Sequence, residues 1–173
     1  MSGAADYSAV EHLRDGRPIE IRALRPDDRA EMLAAVGRTS TQSLQRRFFV
    51  PKKGFSEQEL AFFLNVDFEN HVALVAQIDE DGSPTIVGGG RYIVVQPGQA
   101  EIAFVVIDAY QGQGVGTILM HHLAVLARDA GLNELIAEVL PENTAMLKVF
   151  GKFGFRPGSK REPQVRHLTM QLN

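Results

Sequence analysis

Residues 111–117, QGQGVGT, set glycines at 112, 114 and 116 between a β-branched apolar run that ends at Asp108 and an amphipathic helical pattern. Strand, glycine turn and helix suit a phosphate. Glycine removes the Cβ that would hold a ligand away, successive backbone N–H groups face the anion, and the helix N-terminus adds a favourable dipole. Two common phosphate loops do not fit. A Walker A loop needs lysine and then serine or threonine after its last glycine, and here Gly116 is followed by Thr117 and Ile118. A dinucleotide fingerprint needs glycine where Thr117 stands, and it belongs near the start of a parallel sheet, not after an antiparallel meander. What remains is Gln111-x-x-Gly114-x-Gly116. These six residues alone fit a ligand-free turn as readily as an anion site.

The elements that must hold this turn follow from periodicity. Residues 18–24, PIEIRAL, read as a first strand. Helical patterns follow over 25–38, 41–49 and 56–65, the last opening on a capping box, Ser56 with Glu59. The chain then turns to strands at 71–78, 85–95 and 100–106, the first two joined by the hairpin turn DEDGSP. Gly88, Gly89 and Gly90 lie inside the second of them and mark a bulge or a close backbone approach. Beyond the glycine turn, Val115, Ile118, Leu119, Leu123, Leu126 and Ala130 recur at helical spacing up to Gly131. A buried strand at 134–140, a helix capped by Asn143 and ending near Gly154, and a final strand at 165–172 complete the chain. Strand, crossover helix and strand make a βαβ unit, so the strands on either side of the glycine turn are expected to run parallel. The expected class is α/β, a mixed sheet with an antiparallel N-terminal meander followed by that unit. Residues 1–17 read as a flexible leader and 18–173 as a single domain.

Composition narrows the function. With 173 residues, 45% apolar and 23% charged, the chain matches a soluble globule. A net charge of −3 argues against nucleic-acid binding by a general basic surface. The absence of cysteine removes disulfides, thiolate nucleophiles and Cys-based zinc sites, and fits a cytoplasmic location. No apolar stretch reaches the ~18 residues of a membrane span. The first residues, MSGAADYSAVEHLRDG, have neither the basic nor the apolar region of a secretory signal. No His/Asp/Glu cluster calls for a metal.

The pattern around the turn resembles the GNAT acetyltransferase superfamily. The resemblance rests on Gln111, Gly114 and Gly116 between strand and helix, and on Asn143, Phe150 and Gly154-Phe155 one strand later. It covers roughly residues 19–172. It implies a fold whose central strands splay apart, so that the pantetheine arm of acetyl-CoA pairs with backbone at Phe104, Val105 and Val106. It further implies that the pyrophosphate meets the turn formed by Gln111, Gly112, Gln113, Gly114, Val115, Gly116 and Thr117, and that Asn143 lines the pantetheine side. Acetyl-CoA is then the cosubstrate, with no metal, and the reaction is acetyl transfer to an amine.

A lysine amine with a pKa near ~10.4 is free base in only about one molecule in 2,500 at pH 7, so a carboxylate base is expected. By resemblance that base is Glu101, on the strand that carries the thioester. Many family members have a tyrosine where this chain has Phe150, which has no proton to give to the leaving thiolate. Tyr92 and Tyr110 are the nearest phenols in sequence, away from the motif position.

The segments SLQRRFFVPK, AEIAFVVIDAYQGQGVGTILM and EVLPENTAMLKVFGKFGF are similar to the acetyltransferase domain of bacterial protein-lysine acetyltransferases. That resemblance implies a protein lysine as acceptor. A small-molecule amine, or an acyl-CoA sensor without turnover, are the other readings. Arg46, Arg47, Lys52 and Lys53 read as a solvated basic face, and Phe48, Phe49, Phe62 and Phe63 as core or wall residues. His121 and His122 fall mid-helix, His122 on the apolar side, as a partly buried, satisfied histidine. His71 and His167 carry no motif. An exposed final strand offers an edge for a homodimer.

Overall fold

Alternating and β-branched runs over 71–106 make the sheet's centre, and a computed structural model shows how the rest is laid on it. The structure describes residues 6–28, 30, 66–110, 112–139, 141, 144–158 and 166–172. Among them one mixed sheet is formed by β1 (Ser8–His12), β2 (Pro18–Ala23), β3 (His71–Glu80), β4 (Ser83–Gln96), β5 (Gln99–Val106), β6 (Glu134–Val139), β7 (Arg156–Pro157) and β8 (Arg166–Gln171). Their spatial order is β1-β2-β3-β4-β5-β6-β8-β7. All neighbours are antiparallel except β5 and β6, the two strands joined by helix α1 (Val115–Asp129). A second helix, α2 (Thr144–Lys152), follows β6. This is the mixed α/β class with a meander and a βαβ unit that the periodicity implies.

The main core lies between the sheet and the helices. β5 alternates so that Ala100, Ile102 and Phe104 face it, joined by Tyr92 from β4 and by Leu119, Met120 and Leu123 from α1. Helix α1 ends where Gly131, at φ +82°, takes the left-handed conformation. The Gly131 N–H then bonds to the Arg128 carbonyl and the Leu132 N–H to the Ala127 carbonyl, closing the helix end. Gly90 is a close-approach glycine: a methyl there would stand 2.7 Å from Phe104 Cδ1 and 2.9 Å from Leu123 Cδ1. The expected bulge is also present. The β3–β4 register shifts between Ala76 and Gln77, leaving Val87 between the pairs Ala76–Gly88 and Gln77–Ile86.

Two features differ from the sequence reading. Residues 8–12, within the stretch expected to be a flexible leader, form β1 and pair with β2 from Ser8–Arg22 to His12–Pro18. This strand has only Ala9 and Val10 as apolar residues and is partly exposed, so its placement comes from its partners and not from its own burial. The final strand is not a bare edge either. β8 sits between β6 and the short β7, which covers it at Leu168 and Thr169.

The helices expected over 25–38, 41–49 and 56–65 lie almost wholly outside the described residues, and with them Arg46, Arg47, Phe48, Phe49, Lys52, Lys53, Phe62 and Phe63. What is described there is a 3-10 turn at Pro26–Asp28, anchored by a buried ion pair. Arg22 donates from both terminal nitrogens to the Asp28 carboxylate at 2.9 Å, and Asp28 also accepts the Arg25 amide at 2.7 Å. Burial opposes ionisation of Asp28, but these bonds outweigh it and hold the carboxyl below its usual range.

Candidate active site

Parallel pairing between β5 and β6 lasts for three residue pairs: Gln99–Glu134, Ala100–Leu135 and Glu101–Ile136. β5 then continues to Val106 alongside β4 alone, while β6 continues alongside β8. The sheet therefore opens into a V beyond Glu101. A cleft of about 340 Å³ occupies the opening and runs to the glycine turn. Its walls include Glu101, Phe104, Val105 and Val106 from β5, Gly112, Gly114, Val115, Gly116 and Thr117 from the turn and α1, and Met146, Val149 and Phe150 from α2. A strand whose backbone edge borders a cleft can accept an extended ligand by strand addition.

The turn's backbone explains its glycines. Gly112 has φ +85° and Gly114 φ +93°, a region that favours glycine, and a methyl on Gly112 would meet nothing within 4 Å. Gly114 is the residue that caps α1, so the helix's first N–H groups open onto this end of the cleft. A methyl on Gly88 would stand 3.1 Å from Val115 Cγ1, so the small residue opposite lets the start of α1 lie close to the sheet. Turn, open strand edge and helix start together suit an elongated ligand with an anionic group at the turn end, as acetyl-CoA is.

Glu101 stands at the point where the strands part. It pairs with Ile93 on β4 and Ile136 on β6, half-buried, on the face opposite Ile102 and Phe104. Ile93 and Arg91 share that face and the cleft wall. His71, which pairs with Ile93, accepts a 2.6 Å hydrogen bond from Arg91 Nη1 on its Nε2. Burial, reinforced by the Arg91 charge, lowers the His71 pKa to about 4, with Asp67 acting in the opposite sense. His71 is thus a neutral acceptor that fixes a guanidinium two residue pairs from Glu101.

The structure brings together most of the residues singled out from sequence. Glu101, Phe104, Val105, Val106, Gly112, Gly114, Val115, Gly116 and Thr117 border one cleft. Gln113 is not among its wall residues and instead accepts the Arg14 amide with its carbonyl. Gln111 and Asn143 lie outside the described residues. Phe150 is buried against Phe104 and Phe155, with ring centroids at 5.6 and 4.7 Å. Of the two phenols, Tyr110 borders the cleft and Tyr92 does not. Tyr92 is 1% exposed and pushed up to about 12 by burial. The Tyr110 hydroxyl donates to Glu80 at 2.6 Å, and burial followed by this bond raises its pKa.

Sequence reasoning missed Arg14. It follows β1, and its Nη1 donates to the Gly112 carbonyl at 3.1 Å, so it joins the turn from a segment 98 residues away. The only signal would have been the weak alternation in SAVEH that makes β1. His122, read as a satisfied histidine, is one. It is buried between Tyr7, whose hydroxyl meets Nδ1, and Glu11, whose Oε2 lies 2.7 Å from Nε2.

Comparison with known proteins agrees with this geometry. Residues 39–155 match the model of the acetyltransferase (GNAT) family. An acetyltransferase of Pseudomonas aeruginosa is 35% identical over 147 residues, covering 84% of this chain and 79% of that protein. Acetyltransferase Pat of Mycolicibacterium smegmatis is 32% identical over 146 residues, and the match covers 82% of this chain but 42% of Pat. The crystal structure of the GNAT domain of S. lividans PAT superposes with a TM-score of 0.88 at 33% identity, covering 95% of this chain and 96% of that one.

Proposed function

The chain belongs to the acetyltransferase (GNAT) family, and from that premise we propose that it transfers the acetyl group of acetyl-CoA directly to a protein lysine, with Glu101 as general base. The observation that carries the reading is the position of Glu101, the last β5 residue paired with β6, in the wall of a cleft that reaches the glycine turn. The pantetheine arm lies along β5 at Phe104–Val106, and the pyrophosphate sits at residues 111–117. Asn143 is assigned to the pantetheine side by its motif position.

The amine nitrogen attacks the thioester carbonyl carbon while its proton passes to Glu101, directly or through one water. The coenzyme A thiolate then leaves as the amide forms. That thiolate resembles a cysteine's, with a thiol pKa near ~8.5, so solvent suffices to protonate it where Phe150 cannot. A protein acceptor is supported by the likeness to Pat and to the PAT domain, and by the segments 43–52, 100–120 and 138–155 that resemble protein-lysine acetyltransferases. The match to Pat spans 42% of that protein's length.

Release of free coenzyme A, followed with a thiol reagent, tests the proposal, and the chain has no cysteine to add background. Acceptor panels of purified proteins should stimulate release, with acetylation mapped by mass spectrometry to lysine. Release with small amines alone would transfer the acceptor role to a metabolite. Tight acetyl-CoA binding with no stimulated release across both panels would favour a binding module over an enzyme.

A further inference from the structure

We propose that Arg14 is a coenzyme-binding residue that contacts the pyrophosphate, so that the N-terminal hairpin forms part of the cofactor site. The inference rests on the coenzyme reading of the glycine turn and goes beyond it, because nothing in the glycine motif involves residues 8–17. Three observations carry it.

The hairpin is held in place. Leu13 and Arg17 close it by a backbone bond of 2.9 Å, and the Arg14 amide donates to the Gln113 carbonyl at 3.3 Å. Tyr7, just before β1, and Glu11 on it grip His122 of α1 from both ring nitrogens. The hairpin is therefore tied to the same helix whose first turn carries the glycines.

The guanidinium is also positioned and underused. Arg14 Nη1 donates to the Gly112 carbonyl, and a Cβ on Gly114 would stand 3.7 Å from Arg14 Nε. Arginine carries five N–H donors. Among the described residues, this bond to Gly112 is the one side-chain hydrogen bond Arg14 makes, and it has no carboxylate partner. Its neighbour Arg17 is different: it is spent on Asp15 at 2.8 Å and stacks 5.3 Å from the Tyr110 ring.

Finally, Arg14 belongs to the wall of the same cleft as Gly112, Gly114 and Gly116. The turn itself offers backbone N–H groups but no formal positive charge. A planar guanidinium beside it supplies the charge and the fork geometry that a diphosphate takes best.

Titrations with S-acetyl coenzyme A, its 3′-dephospho form and S-acetylpantetheine test the proposal, with circular dichroism melts to verify the fold of each variant. In Arg14→Gln, which keeps a donor for the Gly112 carbonyl but loses the charge, Kd should rise about tenfold for both nucleotide-bearing thioesters. It should stay unchanged for S-acetylpantetheine, which lacks phosphate. Arg14→Lys, which restores the charge but not the fork, should recover part of the loss. No loss in Arg14→Gln, equal loss for all three ligands, loss confined to the form that carries the 3′-phosphate, or no recovery with lysine would each overturn the assignment. Failure of the unmodified protein to bind acetyl-CoA would instead overturn the coenzyme reading of the turn.

Discussion

The two faces of the sheet are built differently. The helix-side face holds a continuous apolar core that runs from Leu13 and Ile19 through Tyr92 and Phe104 to Leu168 and Leu172. The opposite face has a small cluster, Leu24, Ala73, Val75 and Ile86, and beside it the polar series His71, Arg91 and Glu101. Both draw on the same strands, since successive residues point to opposite sides. Ile102 and Phe104 pack into the core, while Glu101, between Ala100 and Ile102 in sequence, lies on the other face and borders the cleft. A mutation one residue along β5 should therefore change a different property of the protein.

The sharpest test of that division is Glu101→Gln. It removes the carboxylate proposed as the base but keeps its shape, so acceptor-dependent turnover should fall about a thousandfold, or about 4 kcal/mol in the barrier. The melting temperature should scarcely move. Turnover unchanged at every pH would show that the base is another group. On the helix side, Leu123→Ala should do the reverse. Leu123 is fully buried, so denaturant unfolding should show a loss of about 3 kcal/mol, with turnover per folded molecule little altered.

His71 tests the polar face from the side of stability. Its folded pKa of about 4 lies below the ordinary value of 6.5. The unfolded chain therefore binds more protons between these values, and stability must fall as pH drops from about 6.5 to about 4. The loss approaches roughly 3 kcal/mol at the lower end. His71→Gln keeps an acceptor for Arg91 and should remove that part of the pH dependence while leaving the curve above pH 7 unchanged. Parallel wild-type and variant curves would show that His71 does not titrate as described. The smallest expected effect is Gly90→Ala, where the new methyl collides with the Phe104 ring and Leu123. It should cost about 1–2 kcal/mol in unfolding experiments. Because Phe104 belongs to both the core and the cleft wall, a rise in KM for acetyl-CoA should accompany the loss.

Much of this arrangement can be read along the chain, because its signals are local. The glycines at 112, 114 and 116 mark the turn within seven residues, and the repeat from Val115 to Ala130 marks the helix it caps. Gly88–Gly90 announces an irregular strand, although the sequence alone cannot assign the bulge to Val87 and the close approach to Gly90. What could not be read is set by pairing between distant segments. The opening of the sheet depends on β5 and β6 sharing three pairs and no more, which no hydrophobic period encodes; here the expectation came from the family resemblance. His71 gains its meaning only from Arg91 across the hairpin. β1 is too short and too exposed to register by periodicity, so Arg14 stayed hidden with it.

The grip of Tyr7 and Glu11 on His122 also has a consequence for the order of events during synthesis. Tyr7 precedes His122 by 115 residues, and ribosomes add roughly 5–20 residues per second. The first strand thus emerges roughly 6–23 s before the helix that will hold it, and among the described residues β2 is the strand it pairs with in that interval. The hairpin bearing Arg14 is made early but fixed late. On a translating ribosome, the glycine-turn end of the cleft is completed only after α1 has appeared.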